Sequence, residues 1–88
     1  MLKKIIIDHK IPFIKGALGQ VADVRYLPGN EIGPADVHDA DALIIRTRTR
    51  CTRDLLENSS VKFIATATIG YDHIDTDYCD AAGIAWTN

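Results

Sequence analysis

Three features of these 88 residues predict an α/β fold, a parallel sheet with helices wound over both faces. The strand-like segments Ile5-Ile6-Ile7, Ala42-Leu43-Ile44-Ile45 and Val61–Ala65 are almost continuously apolar, as strands buried on both sides are. Segments of strand character alternate with segments of helical spacing, the order of successive β-α-β units. Strong turn signals such as Pro28-Gly29-Asn30 separate them with almost no linker. The expected architecture is a flavodoxin-like, doubly wound parallel sheet of strand order 2-1-3-4-5.

Each element has its own local reason. Lys4–Ile7 is a β-branched run closed by Asp8, a first strand. Pro12 suits a first helical turn, where its missing donor costs nothing. Phe13, Ile14, Ala17, Leu18 and Val21 then recur at helical spacing, weakened by Gly16 and Gly19. Asp23–Leu27 reads as the second strand, Pro34–Asp39 as one or two helical turns, and Asp41–Ile45 as the third strand. Thr52 is positioned to cap a helix over Arg53–Asn58, and Val61–Ala65 forms the fourth strand. Asp75 is the natural cap of a helix through Tyr78–Ala82, which Gly83 ends before a fifth strand at Ile84–Trp86. A fifth strand with no covering helix after it suggests the front part of something longer.

Composition narrows the class. With 47% apolar and 25% charged residues, the chain has an ordinary globular make-up. A net charge of −2 and a sequence pI near 5.8 argue against a nucleic-acid module, which is normally basic overall. The apolar run at the N-terminus stops after Ile7, far short of a membrane-inserting segment. Cys51 and Cys79 are widely separated and lack metal-ligand spacing, so they read as reduced thiols. A cytoplasmic location follows, with no nucleic-acid or membrane partner.

In such a sheet the loops after strands one, three and four open on one edge, where ligands bind. They carry Asp8-His9-Lys10, Arg46-Thr47-Arg48-Thr49-Arg50 and Thr66-Ala67-Thr68-Ile69-Gly70. A crevice lined by these arginines and threonines concentrates anions despite the negative net charge. If residues 46–50 are extended, the period of two places Arg46, Arg48 and Arg50 on one side and Thr47 and Thr49 on the other. Forked guanidinium donors and uncharged hydroxyls together suit a small phosphorylated or carboxylated substrate. Against that stands the plainer reading, in which Arg48 and Arg50 are solvated and Arg46 pairs with a structural carboxylate. Thr66 satisfies local backbone in this view, whereas Thr68, beside Gly70, faces a ligand. Asp72 reads as a helix cap or a buried hydrogen-bond partner rather than as half of a dyad with His73. His9, His38 and His73 share no metal-ligand spacing. Trp86 belongs to the core or to an interface with further chain. No G-x-G-x-x-G occurs, so no dinucleotide fingerprint is present. Composition and spacing end at an anion-binding half of an α/β domain.

A longer set of residues carries a resemblance. Ile5-Ile6-Ile7-Asp8 with Ile11-Pro12, Pro28-Gly29, the run from Ala40 to Thr49, Leu55-Leu56 and the run from Phe63 to Asp75 together resemble the NAD-dependent D-2-hydroxyacid dehydrogenases. The Asp8 to Pro12 start and the full Thr66–Asp75 string are most similar to the erythronate-4-phosphate branch. The resemblance implies that residues 1–88 are the N-terminal part of a substrate-binding domain, with the NAD-binding Rossmann domain and the dimerisation region elsewhere. It implies oxidation of 4-phospho-D-erythronate to 3-hydroxy-2-oxo-4-phosphooxybutanoate, a step in pyridoxal phosphate (vitamin B6) biosynthesis, by a cytoplasmic homodimer. Substrate contacts carry over to Thr47, where the family often has serine, and to Thr68. The family's catalytic Arg, Glu and His fall outside residues 1–88, so Arg46 is not the catalytic arginine and this piece alone is expected to be inactive. Tyr71 stands where the family pattern suggests a smaller residue.

Two other readings compete with that expectation, the first within the same class. One is an enzyme of the 3-phosphoglycerate dehydrogenase kind, which shares the G-x-D-x-I-D stretch found here at Gly70 to Asp75. The other is a non-catalytic flavodoxin-like module that binds anions. A phospho-acceptor receiver is disfavoured, because Arg46 stands where it would need an Asp.

Overall fold

In the computed structural model, which describes residues 4–11 and 23–88, a five-stranded sheet orders the molecule. β1 (Lys4–Asp8) lies between β2 (Asp23–Leu27) and β3 (Ala42–Ile45), and β4 (Phe63–Thr66) and β5 (Ala85–Thr87) follow beyond β3. All four neighbouring pairs are parallel, so the order is 2-1-3-4-5 as expected. Ile5 pairs with Ala42, Ile45 with Thr66 and Ile64 with Trp86. The expected helix over Phe13 to Val21 lies outside the described residues.

Three short helices precede the later strands: α1 (Pro34–Val37), α2 (Arg53–Leu56) and α3 (Thr76–Ala82). Pro34 opens α1, where it forfeits no helical bond. The Asp36 carboxylate accepts the Gly33 N–H at 2.9 Å, tying the entry down. α2 is shorter than the expected Arg53–Asn58, and the Thr52 side chain makes no capping bond. Glu57 leaves the helical conformation at ψ 131°, and Asn58 follows in the left-handed region at φ 65°, which asparagine tolerates. α3 follows its sequence signals closely. The Asp75 carboxylate accepts the Tyr78 N–H at 3.0 Å, and Gly83 at φ 75° turns the chain toward β5.

Strand alternation splits the apolar side chains between two faces. Ile6, Leu43, Ile45 and Ile64 join Val37, Leu55, Leu56 and Cys79 in the main core, beneath the three helices. On the other face Ile5, Ile7 and Ala42 are buried, with Val24, Tyr26, Ile44 and Phe63 packed beside them and partly covered. Cys51 and Cys79 are free thiols, both buried. Among the described residues no helix is long and apolar enough to cross a membrane.

Candidate functional site at the carboxyl edge of the sheet

The chain reverses its direction of progress across the sheet between β1 and β3, and their loops part at the carboxyl edge. Asp8 ends β1 almost wholly buried, and its Oδ1 accepts the Lys10 N–H at 2.9 Å. The His9 N–H donates to the Leu27 carbonyl at 2.9 Å, joining the β1 loop to the end of β2. Gly29, next along, has no room for a side chain. A Cβ there would stand 2.5 Å from Asp8 Oδ2 and 3.1 Å from the Arg48 Cβ. Thr49 Oγ1 donates to the Gly29 carbonyl at 2.9 Å, which draws the β3 loop onto the β2 loop.

These ties leave a hollow of about 400 Å³ lined by residues 8–10, 28–30 and 46–48. Lys10, Arg46 and Arg48 face it with Thr47, and Asp8 is the one carboxylate among the described residues that line it. Arg46, Arg48 and Arg50 are exposed and form no ion pair among the described residues. The expected structural pairing of Arg46 is therefore absent there. A second hollow, of about 360 Å³ between residues 59–62 and 82–83, lies toward the opposite edge and has Lys62 as its sole cation among the described residues.

Residues 46–50 are not extended, which corrects the expected alternation of arginines and threonines. The Thr49 N–H reaches back to the Arg46 carbonyl at 3.4 Å and closes a turn. Thr49 becomes buried, while Arg46, Thr47, Arg48 and Arg50 all stay exposed. The cause is the long-range bond from Thr49 to Gly29, which strand periodicity takes no account of.

One strand further, the Ala67 N–H donates to the Ile45 carbonyl at 2.8 Å and carries the ladder past β4. Thr66 is buried and bonds side chains rather than local backbone: its Oγ1 lies 2.8 Å from Thr68 Oγ1 and 2.8 Å from His73 Nε2. Thr68 is half-buried, and its Oγ1 donates to the Gly70 carbonyl at 2.9 Å. His73 is 6% exposed. Burial pushes its imidazole pKa below the ordinary 6.5; the Arg50 charge adds to this and Asp72 opposes it. The Cys51 N–H donates to the His73 carbonyl at 2.7 Å and the Asp75 N–H to the Cys51 carbonyl at 2.9 Å, clamping the loop. Asp72 is exposed, and the capping role belongs to Asp75. Trp86 is half-buried against Tyr71, with ring centroids 4.9 Å apart.

Thr47 and Thr68 each stand two residues beyond the paired Ile45 and Thr66, so both sit on the same rim. Thr47 lines the hollow, while Thr68 does not and belongs to the network on the neighbouring loop. The sequence reading missed the union of His73 with Thr66 and the approach of Gly29 to Asp8. The Pro28-Gly29 turn hinted at the second; nothing local signalled the first. Among the described residues no three His, Cys, Asp or Glu side chains are placed to hold a metal ion.

Comparison with known proteins agrees with this fold. The chain is 66% identical over 86 residues to an erythronate-4-phosphate dehydrogenase of Bacteroides fragilis, covering 97% of this chain and 25% of that protein. It thus spans about a quarter of the length of the curated relatives it matches. A solved protein of Pyrococcus horikoshii superposes with a TM-score of 0.85 at 29% identity, over 99% of this chain and 27% of that one. The NAD+-bound 3-phosphoglycerate dehydrogenase of Entamoeba histolytica does so with a TM-score of 0.81 at 25% identity, over 100% of this chain and 33% of that one. Residues 5–88 match the sequence model of one family, and the chain belongs to it: the D-isomer specific 2-hydroxyacid dehydrogenases, catalytic domain.

Proposed function

We propose that this chain supplies part of the substrate site of an NAD-dependent enzyme oxidising 4-phospho-D-erythronate to 3-hydroxy-2-oxo-4-phosphooxybutanoate. That places it on the route to pyridoxal phosphate, in a cytoplasmic homodimer. The carrying observation is the 66% identity to an erythronate-4-phosphate dehydrogenase, spread over 86 residues. The carboxyl edge supports the reading chemically. Lys10, Arg46, Arg48 and Thr47 around one hollow offer charged and uncharged donors to a phosphorylated or carboxylated acid. Thr68, on the same rim, offers a further hydroxyl. We assign substrate contacts to Thr47 and Thr68, and no catalytic residue to this chain.

NAD does not fit the described residues. A dinucleotide needs a glycine-rich turn whose backbone approaches the pyrophosphate closely. Gly29 is closed off by Asp8, and no G-x-G-x-x-G run surrounds it or Gly70. We therefore place residues 1–88 in a substrate-binding domain, and the cofactor and the proton-transferring Arg, Glu and His on other parts of the protein.

The test is turnover by the full-length protein, followed as NADH absorbance, with 4-phosphoerythronate and 3-phosphoglycerate in parallel. We expect a clear preference for 4-phosphoerythronate in kcat/KM. Equal or better turnover of 3-phosphoglycerate replaces this reading with the 3-phosphoglycerate dehydrogenase one.

A further inference from the structure

The buried pair His73 and Thr66, and the hydroxyl of Thr68 beyond them, form a chain whose proton directions follow by counting. Thr68 has one O–H, and it is directed at the Gly70 carbonyl, which can only accept. Toward Thr66, then, Thr68 Oγ1 is the acceptor, and the single proton of Thr66 goes to Thr68. With its proton spent, Thr66 Oγ1 accepts from His73, so Nε2 of the imidazole carries a proton. Each donor in the sequence His73 Nε2–H, Thr66 O–H, Thr68 O–H, Gly70 carbonyl polarises the next. The first two members are buried, at 6% and 4% exposure, and the third reaches the rim.

We infer that His73 is a positioning residue that, through Thr66, fixes the Thr68 hydroxyl as a proton donor at the rim. The inference rests on the reading that Thr68 contacts substrate. A hydroxyl already receiving a proton from Thr66 has its own O–H to give, and an anionic substrate oxygen takes it by replacing the neutral Gly70 carbonyl. Such a site favours a carboxylate or phosphate oxygen over a group that is itself a donor. Either neutral Nε2–H imidazole or imidazolium keeps this direction; the Nδ1–H tautomer alone reverses it.

The experiment uses the full-length protein with 4-phosphoerythronate as substrate. The variants are Thr68→Val, His73→Phe, His73→Gln and the double variant Thr68→Val/His73→Phe. The ¹⁵N resonances of the His73 ring in the wild type report its tautomer. We expect an Nε2–H tautomer and a KM raised roughly five- to tenfold by His73→Phe, the size of one ordinary hydrogen bond. His73→Gln, whose amide keeps an N–H near the Nε2 position, restores most of that loss. The double variant has the KM of Thr68→Val alone, because His73 acts through Thr68. Additive effects of the two substitutions, or an Nδ1–H tautomer, overturn the inference even when Thr68→Val behaves as a substrate contact should. An unchanged KM in Thr68→Val instead removes the contact itself, and the inference falls with that reading.

Discussion

Gly29 and Asp8 meet so closely that the smallest side chain at position 29 has to move a buried carboxylate. A Cβ 2.5 Å from Asp8 Oδ2 displaces the group that holds the Lys10 N–H, and with it one wall of the hollow. Gly29→Ala is expected to destabilise the protein by about 1–3 kcal/mol, as overpacking does, and a urea unfolding series checks it. His73 makes stability depend on pH. Burial, helped by Arg50, lowers its pKa from 6.5, so just below that pH the unfolded chain takes up a proton the folded chain refuses. The contribution is complete above the unfolded value and is lost as pH falls through the folded one. His73→Gln should shrink the drop in unfolding midpoint between about pH 7.5 and about pH 5.5, where histidine titrates. An undiminished drop assigns it to other groups. Burial also drives the Cys51 thiol up to about 12, with Cys79 nearby adding to it. Neither thiol should react with a disulfide reagent in the native protein, and both should on unfolding; mapping the modified peptides decides it.

At the scale of elements, α3 was legible from its two ends. Asp75 and Gly83 are residues whose physics is local: one accepts an orphan N–H, the other takes φ 75° without strain. Asp75→Ala should cost about 1 kcal/mol of stability. Gly83→Ala should cost about 1–2 kcal/mol, and Gly83→Asn less, since asparagine visits the left-handed region more readily. Thermal unfolding of the three variants ranks them; an equal loss for alanine and asparagine at 83 would point to a lost contact instead of backbone strain. The strands were legible for a similar reason, since β-branched apolar runs bury on both sheet faces wherever they sit. The loop from Arg46 to Arg50 was not. Its turn depends on Thr49 reaching Gly29, twenty residues away, and local alternation pointed the wrong way. α2 ends early because Glu57 turns extended ahead of a left-handed Asn58, whereas the sequence carried the expected helix on to Asn58. Thr47 and Thr68 were placed on one rim by topology alone, yet the hollow turned out to lie among the β1, β2 and β3 loops.

For the whole molecule, the apolar strands ask for cover on both faces, and α1, α2 and α3 join the core on one of them. Along β3, β4 and β5 the opposite face presents Ile44 and Phe63, half-buried, and Ala85, exposed. A chain of this length buries only about 60–65% of its extended surface on folding, so apolar area left open weighs heavily. Produced alone, residues 1–88 should therefore bind a hydrophobic dye such as anilinonaphthalene sulfonate and unfold in a broad transition at low denaturant. The full-length protein should show little dye fluorescence before it unfolds. The dye reads the face directly, and the denaturant slope reads how much surface the isolated piece buries. A sharp transition without dye binding would mean that this stretch closes its own second face.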